Sequence, residues 1–485
     1  MNSESETDPQ KSVPWWPTVL CAALAGGMGW GIRGQYGHET GAMIAGLLVC
    51  LVISLTLCRG ASSLAVARAV ALGTIAIGFG GTETYGQTVG LTHDKDFIGN
   101  WEALRWGMTG LAVKGGVWIG FCGVFLGMGL GGNRYRAHEL LVLMLGALAA
   151  YFLGVWLFNL PFDPENKRLP WLYFSGSWYW QPDKADLRPR FEAWGGLWFA
   201  LLLVIAYAGA IRKDGLAWRL AMWGILGGAL GFPLGQCLQA YHAWNPEVFT
   251  QGIWKSLDPH MNWWNMMETT FGTIMGAALG LGAWIHRERI KPADYISESY
   301  FSPPLEWVLL SVHAALLVLS EFVGTPIIDV VYDLGLAMGL IPLFATAGGR
   351  MWPYFVVFPV TLLPIAGKTL RNLAYEQGAI SPAIGWAVYV IVPIAIAVGF
   401  AVWYGRRTRE GRPAIEFLSG ALVFATWTYF LLNYAFFRFP WPWAPWTGRT
   451  PNAILFTVCA VGLTTLAITA LRKLQEPRPT STSRT

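Results

Sequence analysis

From Pro14 onward the chain alternates between long apolar runs and short polar punctuation. The runs are roughly 20 residues long, enough to cross a bilayer as helices. The pattern predicts helices over 14–33, 37–58, 62–85, 107–130, 138–160, 193–211, 217–240, 265–285, 305–325, 327–346, 351–367, 382–404, 414–437 and 452–471. The expected fold is therefore an all-α polytopic integral membrane protein of about fourteen transmembrane helices. Residues 1–13 and 474–485 read as polar tails.

Polar punctuation gives an independent check. Counted from the N-terminus, the even loops carry Arg59, then Arg134 and Arg136, then Arg212 and Lys213, then Arg287, Arg289 and Lys291. Arg350 follows, then Arg406, Arg407, Arg409 and Arg412, and the C-terminal tail adds Arg472 and Lys473. All fall on one side. The positive-inside rule then places both termini in the cytoplasm of a cell whose inner membrane the chain spans. The opposite loops are long and rich in tryptophan: "PWLYFSGSWYWQPDK", "AYHAWNPEVFTQGIWKSLDPHMNWWN" and "FRFPWPWAPWTG". Such rings suit an interfacial belt, and also stacking on a sugar or another flat solute.

Composition sharpens this picture in four respects. Charged residues make up only 13% of the 485, about half the share in soluble domains, and mean hydropathy is +0.42. The net charge of +5 is accounted for by basic residues at one membrane face and calls for no nucleic-acid partner. "MNSESETDPQKS" lacks a basic n-region, so it reads as a cytosolic tail and not a signal peptide. The six cysteines form no CxxC pair and sit in or beside apolar runs, which favours packing roles over a zinc site or disulfide framework.

Part of the sequence echoes itself. "AGGMGWGIRGQYGHETGAMIAGLL" at 25–48 resembles "GGALGFPLGQ" at 227–236 together with "METTFGTIMGAALG" at 267–280. In both, a glycine-rich helix ends in Gly-Gln and the next run re-enters with Glu-Thr. "GFGGTETYGQ" at 78–87 uses the same vocabulary. Two related halves in parallel orientation, 14–213 and 214–473 with two extra spans in the second, are expected; secondary transporters use such halves. Small residues recur at helical spacing, as in Gly115, Gly123 and Gly127, or Gly272, Gly276 and Gly280, which predicts close helix contact.

Ionisable groups inside these runs are the candidate chemistry, because a charge in hydrocarbon is costly and faces protein or a wet cavity. Arg33, Gln35, His38, Glu39, Lys114 and Gln236 are the expected solute-binding groups of an outward-facing polar cavity. Glu83, Glu268, Glu321 and Asp333 are the expected ion-coupling carboxylates. Lys114, too deep to snorkel, should pair with Glu39, Glu83 or Glu268, whereas Arg68 near a span end should snorkel. No histidine follows His38-Glu39 at the spacing of a zinc H-E-x-x-H motif, and no phosphate loop is present. No metal or cofactor is expected beyond a coupling proton or sodium ion.

These features favour a secondary-active transporter of a small polar or saccharide-like solute. An integral-membrane transferase using His242, Glu247, Asp258 and His260 at the outer face is the alternative, and a non-catalytic membrane subunit a third. The topology is directly testable. A cysteine placed in "WPWAPW" (441–446) should react with an impermeant thiol reagent in intact cells, and one in "RRTREGR" (406–412) should not. Equal labelling would break the alternation.

Overall fold

The computed structural model describes residues 13–58, 60–83, 85–175, 180, 188–292, 301–328, 339–407, 414–440 and 443–475. These are all-helical apart from loops. In order they form α1 (Trp15–Ile32), α2 (His38–Leu57), α3 (Ser63–Gly80), α4 (Gly86–His93), α5 (Trp101–Leu130), α6 (Ala137–Phe158) and α7 (Trp194–Ile211). Then come α8 (Gly215–Trp244), the single turns α9 (Pro246–Phe249) and α10 (Trp254–Leu257), α11 (Trp263–Ile285), α12 (Pro303–Phe322) and α13 (Ile341–Gly348). The last four are α14 (Trp352–Glu376), α15 (Pro382–Arg407), α16 (Ala414–Phe437) and α17 (Thr450–Gln475). Among the described residues, 11 helices are long and apolar enough to cross a membrane. Helices α1 and α11 have spanning length but fall short of that apolarity, diluted by glycines and polar side chains. Half of the run expected at 327–346, residues 329–338 with Asp333 among them, lies outside the described residues.

The core is built on backbone contact. Lipid tails are as apolar as leucine, so helices in a bilayer associate through close packing of small residues. Helices α1 and α11 run antiparallel with Gly26 against Gly272 and Gly276 against Ala22. Helices α5 and α8 do the same: a Cβ on Gly228 would lie 1.9 Å from the Gly115 carbonyl oxygen, and one on Gly123 2.1 Å from that of Leu220. Helix α11 also packs along α8, with Gly235 on Met267 and Gly231 on Phe271. The glycine spacing noted in the sequence thus falls on helix seams. Helices α2 and α8 share no such seam among the described residues.

The basic loops gather at one end of the bundle. Lys291 N–H donates to the Leu130 carbonyl (2.8 Å), Arg212 to that of Arg134 (2.6 Å), Ala414 N–H to that of Ala61 (3.0 Å) and the Trp284 indole to that of Val13 (2.8 Å). Arg68 does not snorkel. It is buried and donates to the Gly349 carbonyl (2.9 Å), because α14 begins over it.

The main departure from the expected layout is at 62–85, where the apolar pattern predicts one continuous span. Helix α3 stops at Gly80, and the chain resumes as α4 in the same direction along α5. Two of its last four residues are Gly78 and Gly80, and Gly81 follows, which weakens the helix end. The Gly81 N–H turns to the Gly78 carbonyl (2.9 Å), and the released Ile77 carbonyl accepts from the Trp118 indole (2.9 Å). A broken helix results, with residues 81–83 and Tyr85 outside any helix between α3 and α4.

The seams make a sharp prediction. Gly228→Leu would force α5 and α8 apart, costing about 1–3 kcal/mol or more. Gly399→Leu, where a new side chain meets open space, should leave stability unchanged. Thermal unfolding of the two variants in detergent separates them.

A buried charge site at the helix break

The unwound segment divides two charged clusters. Glu83 faces one and Tyr85 the other. The first centres on Lys114, fully buried on α5. Helix α5 has 30 residues and is about 45 Å long; Lys114 lies thirteen residues past Trp101, about 20 Å along it. No stretched side chain reaches water from there. Its ammonium contacts Glu192 Oε1 at 2.6 Å and Glu83 Oε1 at 3.1 Å, and donates to Thr88 Oγ1 (2.9 Å) and Ser175 Oγ (3.0 Å). The far oxygens of both carboxylates accept backbone N–H groups, Glu83 Oε2 from Ala193 and Glu192 Oε2 from Phe174, each at 2.8 Å. The Glu83 contact is the less well aligned one, since its Oε1 has no donor in hydrogen-bond geometry. With all three groups ionised, the cluster holds one cation and two anions.

The second cluster centres on Arg33, held by the single turn Arg33–Gln35 between α1 and α2. Its guanidinium lies 3.3 Å from Glu268 Oε1 on α11 and donates to the Tyr85 hydroxyl. The rings of Trp30, Tyr85 and Trp118 surround it, with centroids 5.1, 5.1 and 5.2 Å from Cζ. A desolvated guanidinium gains about 2 kcal/mol from such a face. Glu268 also accepts from Tyr85 (3.3 Å), Trp264 Nε1 (3.1 Å) and Asn265 Nδ2 (3.3 Å). Asn265 Oδ1 accepts in turn from Arg449 (3.1 Å). Behind these, Phe232 and Phe271 stack at 4.6 Å.

Polar atoms are left over at this point. Trp30 Nε1, Arg33 Nε and His38 Nδ1 are buried without a hydrogen-bond partner among the described residues. The rings bearing two of them meet at Trp118: Trp30 at 5.0 Å and His38 at 6.3 Å, centroid to centroid. Buried polar groups normally find partners, so an unsatisfied set gathered on one ring needs a reason.

The predicted residues divide as follows. Arg33, His38, Glu83, Lys114 and Glu268 come together around the break. Gln236 lies a turn further toward the tryptophan-rich end, where Nε2 donates to Thr92 Oγ1 of α4 (2.6 Å). Glu39 is half-buried at the start of α2. Glu321 belongs to an adjoining group: it pairs with exposed Arg371 (2.9 Å) and lies 3.9 Å from Lys368 Nζ, which donates to the Tyr36 carbonyl (2.9 Å). The Gln35 side chain and Asp333 lie outside the described residues. In the outer loops, His242 and Asp258 meet at 2.8 Å, with Trp263 Nε1 also donating to Asp258 (2.7 Å).

An open outward-facing cavity is not what these groups line here. Arg33, Glu83, Lys114, Gln236 and Glu268 are each at most 2% exposed. Helix α4, Trp264 and residues 173–175 roof them. Glu192 is the residue that sequence reasoning missed. Its signal was present: an acid one residue before the apolar run at 193–211, at the tryptophan-rich end. Lys368, just past the expected 351–367 run, was missed likewise.

No family model matches the chain, and neither a curated protein nor a solved structure does.

Removing one member of a buried charge group leaves the others uncompensated, at about 3–5 kcal/mol. Lys114→Met should therefore lower the unfolding temperature sharply. Lys114→Met with both Glu83→Gln and Glu192→Gln should recover most of it. A single Lys114→Met variant as stable as the parent would show the cluster to be incidental.

Proposed function

We propose that this chain is a secondary-active transporter of a small polar or saccharide-like solute, driven by a proton or sodium gradient. The observation that carries the reading is the pair of buried charge clusters on either side of a broken helix. Transporters place substrate and ion sites at discontinuous helices, where unwound backbone lines the site. The solute would sit at Trp30, Arg33 and His38, whose unpartnered nitrogens ask for ligand oxygens or, at His38, a hydroxyl. The aromatic faces there suit a ring. Gln35, Glu39 and Gln236 would flank it.

The coupling ion would bind at Lys114, Glu83 and Glu192. Two carboxylates share one ammonium, so a proton or sodium ion neutralises the excess charge. Glu268 would answer to solute through Arg33, and Glu321 and Asp333 would serve entry. The buried arrangement is then an occluded state, and movement of α4 and the roofing loop would open it outward.

The same reading counts fourteen spans by adding α1, α11 and the 327–346 run to the 11 apolar helices. It places the basic end in the cytoplasm of the inner membrane. The relation between halves 14–213 and 214–473 rests on the sequence echo alone.

Reconstitution into liposomes tests the proposal. A panel of labelled sugars, polyols and small zwitterions is offered under an imposed pH or sodium gradient. At least one should accumulate beyond equilibrium. Glu83→Gln and Glu192→Gln should still exchange that solute but lose gradient-driven accumulation. Full accumulation by both variants would remove coupling from this cluster. Failure of every solute under both gradients counts against transport.

A further inference from the structure

We infer that the groove between α6 and α7 at the basic end is a binding site for an anionic phospholipid. This is independent of the transport reading. The groove encloses about 1180 Å³ and opens on the side of the bundle, where Val142, Leu202 and Ile211 are exposed to the surrounding medium. Such apolar exposure is unfavourable in water and natural in hydrocarbon.

The two ends of the groove differ chemically. Its mouth carries Arg134, Arg136, His138 and Arg212, with Glu139 as the one carboxylate lining it. Three arginines against one glutamate leave a net charge of about two positive units before His138 is counted. Glu139 is committed to Arg212 Nε (3.0 Å) and to the Tyr207 hydroxyl (2.6 Å), which fixes the arginine at the rim. Arg136 is exposed, beside the α6 N-terminus. Above the mouth the walls become wholly apolar, through Leu143, Gly146, Leu203 and Ala206. A headgroup-sized basic pocket continuing into an acyl-sized apolar slot matches a phosphodiester lipid end to end. Basic pockets between membrane helices at the cytoplasmic side recognise anionic headgroups by this means.

Gly146 makes the slot. A Cβ built there has its nearest neighbour, Leu203 Cδ2, at 3.9 Å, so the position is open and not a helix-contact glycine. A large side chain would enter the groove without displacing a helix.

Thermal unfolding of the purified protein in neutral detergent tests the site. The additives are phosphatidylglycerol, phosphatidylcholine with the same acyl chains, and inorganic phosphate. Phosphatidylglycerol should raise the unfolding temperature by several degrees and the other two should not. Arg136→Gln should weaken the lipid's apparent affinity by about fivefold. Gly146→Phe should abolish the shift while leaving the lipid-free unfolding temperature unchanged. Equal stabilisation by phosphatidylcholine, a full shift from phosphate alone, or a parent-like response from both variants would each overturn the assignment.

Discussion

An ammonium group that cannot reach water must find its counter-charge inside the protein. Much of the molecule is arranged around that requirement. Lys114 draws Glu83 from the unwound end of α3, Thr88 from α4, and Ser175 and Glu192 from either side of the long loop before α7. The remaining oxygen of each carboxylate is then satisfied by a backbone N–H from the described ends of that loop, Ala193 for Glu83 and Phe174 for Glu192. Phe174, Ser175 and Glu192, near the two described ends of that loop, are thus drawn into the core. Glu83 and Tyr85 both lie at the break after α3, where Glu83 meets Lys114 and Tyr85 meets Arg33.

Glycine seams hold this arrangement at a fixed depth. Where backbones touch, as along α1 with α11 and α5 with α8, no side chain sets the spacing and register is set by the carbonyl ridges themselves. Arg33 and Glu268 meet because their helices are locked in this way two turns further down. The seams leave little room for bulk.

Much of the fold was legible in the sequence because apolar run length and basic-loop alternation are one-dimensional signals. Runs such as 414–437 and the glycine spacing of α5 appear in the structure nearly as expected. The helix break was not legible. An apolar stretch through Phe79 looks continuous whether or not its last carbonyl bonds to its own helix, and the Trp118 indole that captures Ile77 lies 41 residues away. Lys114 and Glu83 could be paired by depth alone. Glu192 sits 78 residues beyond Lys114 in a segment that composition assigns to the surface, so its descent into the core depends on a three-dimensional demand that periodicity does not record.

That separation along the chain has a consequence for biosynthesis. Ribosomes add about 5–20 residues per second, so Glu192 emerges about 4–16 s after Lys114, and Glu268 about 12–47 s after Arg33. During those intervals each cation exists in the growing chain ahead of a carboxylate that pairs with it. Glu83, made before Lys114, is the only acid of that cluster present to escort it. Neither cation is fully matched until its later carboxylate has been made, Glu192 for Lys114 and Glu268 for Arg33.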